Sequence, residues 1–198
     1  GNNTFVGANS GSSVTTGTHN VMVGRDAGDA QTTASYSVAI GSEALTSNTT
    51  GAANIAVGRQ SLKANTTGTN HTAVGVGALK TVTTANNSTA VGHSALESNT
   101  SGAQNVATGA FAGNKNTTGS YNTSYGYSAL TETTTGNNNT GLGGNAGNNL
   151  TTGTNNTVIG YNSDASSATV SNEITLGDGS ISALRCQVQS ISALSDRR

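Results

Sequence analysis

The chain has 198 residues, 8 of them basic and 9 acidic; only 9% are charged and 4% aromatic, and proline and tryptophan are absent. So few cations exclude a nucleic-acid footprint, and no apolar stretch comes near the roughly 18 residues that a membrane span requires. A single cysteine, Cys186, excludes an intrachain disulfide framework.

Asn, Thr, Ser, Gly and Ala dominate, a composition that by itself predicts a chain too poor in apolar surface to offset the entropy of ordering. Periodicity overrides that expectation. A glycine recurs every 17 residues without a slip, at Gly7, Gly24, Gly41, Gly58, Gly75, Gly92, Gly109, Gly126, Gly143, Gly160 and Gly177. A fixed short period describes one structural unit stacked on itself, not a domain folded around a single core. An enzyme active site is not expected in such a stack. The chain opens in mid-repeat at Gly1, which reads as a piece of a longer protein.

Within each repeat the order is constant. Asn usually stands four before the glycine, as at Asn3, Asn20, Asn54, Asn105, Asn122, Asn139 and Asn156. A β-branched residue follows, then a small one, then an apolar one, as in Val38-Ala39-Ile40 and Ile55-Ala56-Val57; at the apolar position Thr108 and Tyr125 depart. This pattern predicts a short strand with the branched pair on one side and the alanine row on the other. The glycine then ends the strand at a bend that excludes a Cβ. Ala or Ser comes three residues on (Ala44, Ser61, Ala78), and after it Leu45, Leu62, Leu79, Leu96 or Leu130, alternating with Gly11, Gly28, Gly113 and Gly147. A polar loop closes the unit, ending in pairs such as Thr50-Gly51, Thr67-Gly68 and Thr118-Gly119.

Stacked turns bring identical columns about 4.8 Å apart. Asn on Asn then forms an amide ladder, Thr on Thr a hydroxyl ladder, and Val on Val a thin core. The predicted fold is all-β: a parallel β-solenoid over residues 1–177 with about two short strands per 17-residue coil. Ten coils make a rod roughly 50 Å long. A core so thin predicts a homotrimer, with three rods packed through their alanine faces.

The segments Ser37-Val38-Ala39-Ile40-Gly41 and Asn54-Ile55-Ala56-Val57-Gly58, and more loosely Thr72-Ala73-Val74-Gly75 and Thr89-Ala90-Val91-Gly92, resemble the NSVAIG-type repeats of trimeric autotransporter adhesin heads. That resemblance implies trimers of left-handed parallel β-rolls. Repeats in that family are usually shorter; the extra residues here enlarge the Thr-Thr-Gly loop.

After Gly177 the period stops, and residues 178–198 read as a C-terminal β cap that hides the open edge of the stack. Its echo, Ser180-Ile181-Ser182-Ala183-Leu184 and Ser190-Ile191-Ser192-Ala193-Leu194, suggests two related strands. The ending Leu194-Ser195-Asp196-Arg197-Arg198 resembles the junction before the peptidase S74 intramolecular chaperone of phage tail fibres and tailspikes. The resemblance implies self-cleavage near Ser195 and Asp196; the family's catalytic lysine would follow, so no catalytic set is complete within this chain.

Other candidate chemistry is sparse. His19, His71 and His93 occupy three different columns and do not stack into a ligand set, so no metal and no cofactor is expected. Asp26, Asp29, Glu43, Glu97 and Glu132 are scattered over loop columns as solvated charges, without the paired carboxylates of glycoside hydrolysis. Tyr121, Tyr125 and Tyr127 crowd one repeat and are the candidate glycan-binding residues, with Tyr36, Tyr161 and Phe111 elsewhere; Tyr125 takes the place of a core valine. The threonine array could also order water, with only one of each adjacent pair exposed.

These signals together predict a structural and adhesive module, the trimeric shaft or receptor-binding part of a phage tail fibre. Its expected location is the virion tail. The expected partners are itself, other tail proteins, and a host-surface glycan or protein receptor. The alternatives are the head of a bacterial trimeric surface adhesin, on the cell surface, and an ice-binding solenoid.

Overall fold

A computed structural model describes residues 1–183 of the chain. Eleven three-residue strands follow one another, one per coil: β1 (Thr4–Val6), β2 (Val21–Val23), β3 (Val38–Ile40), β4 (Ile55–Val57), β5 (Thr72–Val74), β6 (Thr89–Val91), β7 (Val106–Thr108), β8 (Thr123–Tyr125), β9 (Thr140–Leu142), β10 (Thr157–Ile159) and β11 (Ile174–Leu176). They form a single parallel sheet in sequence order. The register is that of the repeat, with Val38 opposite Ile55, Ala39 opposite Ala56 and Ile40 opposite Val57. The fold is therefore a β-solenoid of about ten turns, 17 residues to the coil. One strand per coil replaces the two predicted; the rest of each coil is turn, held by backbone bonds to its neighbours such as Leu45 N–H to Ser61 O at 2.9 Å.

The glycine corner behaves as its spacing predicts. The φ of Gly24 is 134° and that of Gly41 is 135°. A Cβ on Gly24 would stand 2.6 Å from the carbonyl oxygen of Gly41, so the next coil closes over the site and only glycine fits.

The orientation of the strand is the reverse of the expectation. The middle residue points inward: Ala39, Ala56, Ala73, Ala90 and Ala107 are fully buried. The branched residues flanking it point outward, and Ile40, Ile55, Val74 and Val91 are 36–40% exposed. The reason is the width of the interior. Opposite the strand lie the Ala and Leu columns that follow the glycine, and a Cβ on Gly141 would meet Leu130 Cγ at 2.7 Å and Ala146 O at 3.0 Å. At Gly141 not even a Cβ fits, five coils hold an alanine in this column, and the larger Met22 and Val158 are the buried exceptions, so the interior has no room for a continuous row of valines. The core is thus Ala, Leu and buried amide, not stacked valine, and the alanine row cannot serve as a surface for another chain. For the same reason Tyr125 does not fill the core but stands 56% exposed.

The leucines do fill the core as predicted: Leu45, Leu62 and Leu79 are fully buried, with Leu96 and Leu130 nearly so. Their alternation with glycine has a backbone cause. Leu45, Leu62, Leu79, Leu96 and Leu130 all have φ of 50–55°, and Gly11, Gly28, Gly113 and Gly147 have φ of 57–64° at the same corner. Where that corner carries Gly, a larger neighbour takes the volume. Phe5 lies against Gly11 (Cε1 2.8 Å from a Cβ placed there) and Met22 against Gly28 (Cε 2.7 Å).

Candidate functional site

The polar interior is built from two amide columns. Asn54 shows the first: its Nδ2–H donates to Gly68 O at 2.8 Å, while its Oδ1 accepts from the His71 N–H at 3.0 Å. Asn20, Asn105, Asn122, Asn139 and Asn156 grip the following coil through the same kind of bonds. The column is therefore buried, but apart from Asn156 to Asn139 its bonds run from amide to backbone and not from Asn to Asn as expected. Each asparagine staples its coil to the next at two backbone points, whereas Ser88 makes one such bond and Ser37 none. A second column escaped the sequence reading. Asn48, Asn65, Asn99 and Asn116, seven residues after the glycine, are also buried. Asn65 Nδ2–H donates to Asn48 Oδ1 at 3.0 Å and to Gly68 O at 3.0 Å. The signal was the recurrence of Asn before Thr-Thr, disguised by Gln31, Val82, Thr133 and Leu150 in the same column.

His71 takes an asparagine's place in the first column. Its Nδ1 accepts from the Ser88 N–H at 3.2 Å, and its Nε2 faces Ala85 O at 2.7 Å, which requires the neutral Nε2–H tautomer. Burial pushes the imidazole pKa below its ordinary value, against the raising effect of the Ala85 and Ser88 backbone bonds. His19 and His93 sit on the outside in other columns, as expected, and no group of three or more His, Cys, Asp and Glu side chains gathers among the described residues.

The threonine pairs divide by face. The first of each pair donates its hydroxyl to the carbonyl of the next coil's equivalent residue, as Thr32 to Thr49 O, Thr49 to Thr66 O and Thr117 to Thr134 O at 3.0–3.1 Å. The ladder is thus hydroxyl to carbonyl, not hydroxyl to hydroxyl. The second of each pair (Thr16, Thr33, Thr50, Thr67, Thr84, Thr118, Thr135, Thr152, with Ser101 in the same column) is exposed.

Glu43, Glu97 and Glu132 pair with bases one coil away. Glu43 Oε2 is 2.6 Å from Lys63 Nζ and its Oε1 is 2.9 Å from an Arg25 guanidinium nitrogen. Lys63, Gln60 and Arg25 hold the Glu43 carboxyl down at about 2. Lys115 reaches Glu132 at 2.7 Å. These are solvated ionic contacts of small stabilising effect.

The aromatic rings do not meet as their crowding in one repeat suggests. Tyr121, Tyr125 and Tyr127 are each 56–58% exposed, and the packed rings run instead from coil to coil. His93 meets Phe111 edge-on with centroids 5.1 Å apart, and Phe111 meets Tyr127 edge-on at 6.0 Å. Farther along, His19 stacks on Tyr36 at 5.1 Å.

The largest continuous feature is the outer face of the sheet. It presents Val, Ile, Leu, Thr and one Tyr in two columns from β1 to β11, in a 17-residue register and with no covering element among the described residues. No pocket opens among the described residues. Ser195 and Asp196, Cys186, and most of the proposed cap over 178–198 lie outside the described residues.

These features define a class by architecture: a single-sheet parallel β-solenoid with a polar, amide-stapled interior. No protein-family model, curated protein or solved structure matches the chain.

Proposed function

We propose that this chain is the rigid, adhesive shaft of a homotrimeric virion fibre, its coils left-handed and its role mechanical reach and receptor display. One observation carries the reading: the apolar outer face of the sheet. Twelve large hydrophobic residues of the strands, from Val6 to Leu176, stand at least 36% exposed along one side of the rod. A monomeric protein rarely leaves so long a contiguous apolar face in water. Three rods meeting through these faces bury it, and a rod lengthened coil by coil extends the contact in proportion. The packing surface is the branched face, in place of the alanine face the sequence suggested. The junction resemblance at Ser195 and Asp196 adds a self-removing chaperone downstream that sets the three chains in register. The bacterial adhesin head remains the alternative with the same assembly.

Light scattering on the purified protein tests the assembly. A trimer mass is expected, and a folded monomer at micromolar concentration sinks the shaft reading. Cleavage is tested by expressing the chain with its downstream coding sequence and weighing the product. Release of a fragment ending near Ser195 is expected, and an intact product removes the chaperone junction.

The exposed threonine column favours a second reading, ice binding. Its hydroxyls make no hydrogen bond to protein among the described residues and repeat at the coil spacing. Thermal hysteresis of a dilute solution would support it, and freezing at the colligative point discards it.

A further inference from the structure

Tyr127 and Tyr161 occupy the same column two coils apart, the residue directly after the corner glycine. At the strand spacing this sets them roughly 9.6 Å apart along the rod. Both are largely in solvent, 58% and 69% exposed. Each is held. Phe111 meets Tyr127 edge-on and is itself met by His93. Tyr161 leans over the intervening coil at Gly144, where a Cβ would stand 3.2 Å from its Cδ2 and 3.5 Å from its Cε2. Gly144 thus lets the ring settle against the backbone, where a side chain would lift it off.

Beside the rings run two amides. Asn145 Nδ2–H donates to Asn162 Oδ1 at 2.8 Å, which leaves the Asn145 oxygen and the Asn162 amide protons facing solvent. From residue 133 to residue 163 the chain carries no charged side chain, and the charges that border this stretch are Glu132, paired with Lys115, and the exposed Asp164. Two exposed aromatic rings, each with a contact to the neighbouring coil, unspent amide donors and acceptors, and no charge among the residues between them match a neutral polyhydroxylated ligand with an apolar C–H face. An ionic or strongly apolar occupant finds nothing complementary here.

We propose that an extended, uncharged β-1,4-linked glycan lies along this edge, stacking alternate sugar rings on Tyr127 and Tyr161 and hydrogen-bonding to Asn145 and Asn162. The spacing of the two tyrosines is commensurate with the disaccharide repeat of such a chain, in which every second ring presents the same face. The proposal gives a ligand class to the adhesive reading above and rests on it only for biological purpose, since the geometry belongs to a single chain.

Isothermal titration of the intact protein with cellohexaose and, in parallel, maltohexaose tests it. Saturable binding of cellohexaose is expected. Tyr161→Ala weakens it about tenfold, as loss of one stacking ring does. Tyr161→Phe retains it, Tyr127→Ala/Tyr161→Ala abolishes it, and Tyr36→Ala leaves it unchanged. No binding, binding indifferent to both tyrosines, or equal binding of the coiled α-linked maltohexaose overturns the proposal. Light scattering of the same samples separates the readings. A change of oligomeric state in the double variant makes the edge a protein interface and refutes the glycan site. A wild-type monomer that binds cellohexaose refutes the trimer and leaves the glycan site standing.

Discussion

Leucine is an uncomfortable residue at a left-handed φ, yet five coils place one there. A non-glycine residue at such a corner costs on the order of 1–3 kcal/mol of backbone strain, and complete burial of the side chain offsets about 1.5–3 kcal/mol. Glycine avoids the strain and loses the burial, so it is found where a neighbouring side chain supplies the volume, as Met22 does beside Gly28 and Leu96 beside Gly113. The pair can be exchanged. Met22→Ala alone is expected to cost about 2–5 kcal/mol, Gly28→Leu alone to clash with Met22, and the double variant Met22→Ala/Gly28→Leu to regain most of the loss by copying the coils built on Ala39 and Leu45. Urea denaturation of the four proteins checks this, and additive losses would show that the two sites do not share space.

His71 makes stability depend on pH at one residue. Its folded pKa is depressed, so between that value and the unfolded 6.5 the unfolded chain binds the extra proton. Stability is full above pH 6.5 and declines as pH falls below it. His71→Asn, which restores the usual residue of the column, is expected to remove that decline in thermal melts between pH 7 and pH 5. An unchanged slope would place the titration elsewhere. Of the residue-scale features, the glycine corner was legible because every coil repeats it, and the first asparagine column because most coils do, with Ser37, His71, Ser88 and Glu173 the exceptions. The left-handed leucines were not, since a φ angle leaves no mark on residue spacing.

At the scale of the strand, the deciding fact is which side faces in. Val74 and Ala73 are neighbours in β5 with opposite surroundings, 36% exposed and fully buried. Val74→Asp is expected to keep the solenoid's circular dichroism and to break the proposed trimer into monomers, as a like charge repeated around a symmetric contact does. Ala73→Asp buries an unpaired carboxylate and is expected to prevent folding, or to lower the melting temperature severely. If Val74→Asp remained a trimer, the outer sheet face would not be the contact. The positions of the strand that forms were readable to the residue, because three-residue runs of Val-Ala-Ile type recur at one offset, whereas the second strand expected in each coil is turn. Their facing was not, because a three-residue strand alternates the same way whichever side is wet.

The whole molecule behaves as a one-dimensional stack in which each coil touches only its neighbours. Removing one full period, residues 59–75, rejoins equivalent corners and is expected to give a folded rod shorter by about 4.8 Å in small-angle scattering. Removing half a period misaligns both amide columns and is expected to unfold the flanking coils. A protein indifferent to the length removed would not be a solenoid.

The sequence by itself determined the period, the parallel register, the strand positions and the corner glycines. Each is a constraint that every coil imposes on the next, and so it is written ten times over. Only the tertiary structure decided which face is core and which rings meet. Those depend on the width of a closed coil and on the lean of side chains across coils, distances set when the turn closes and carried by no single column of the repeat.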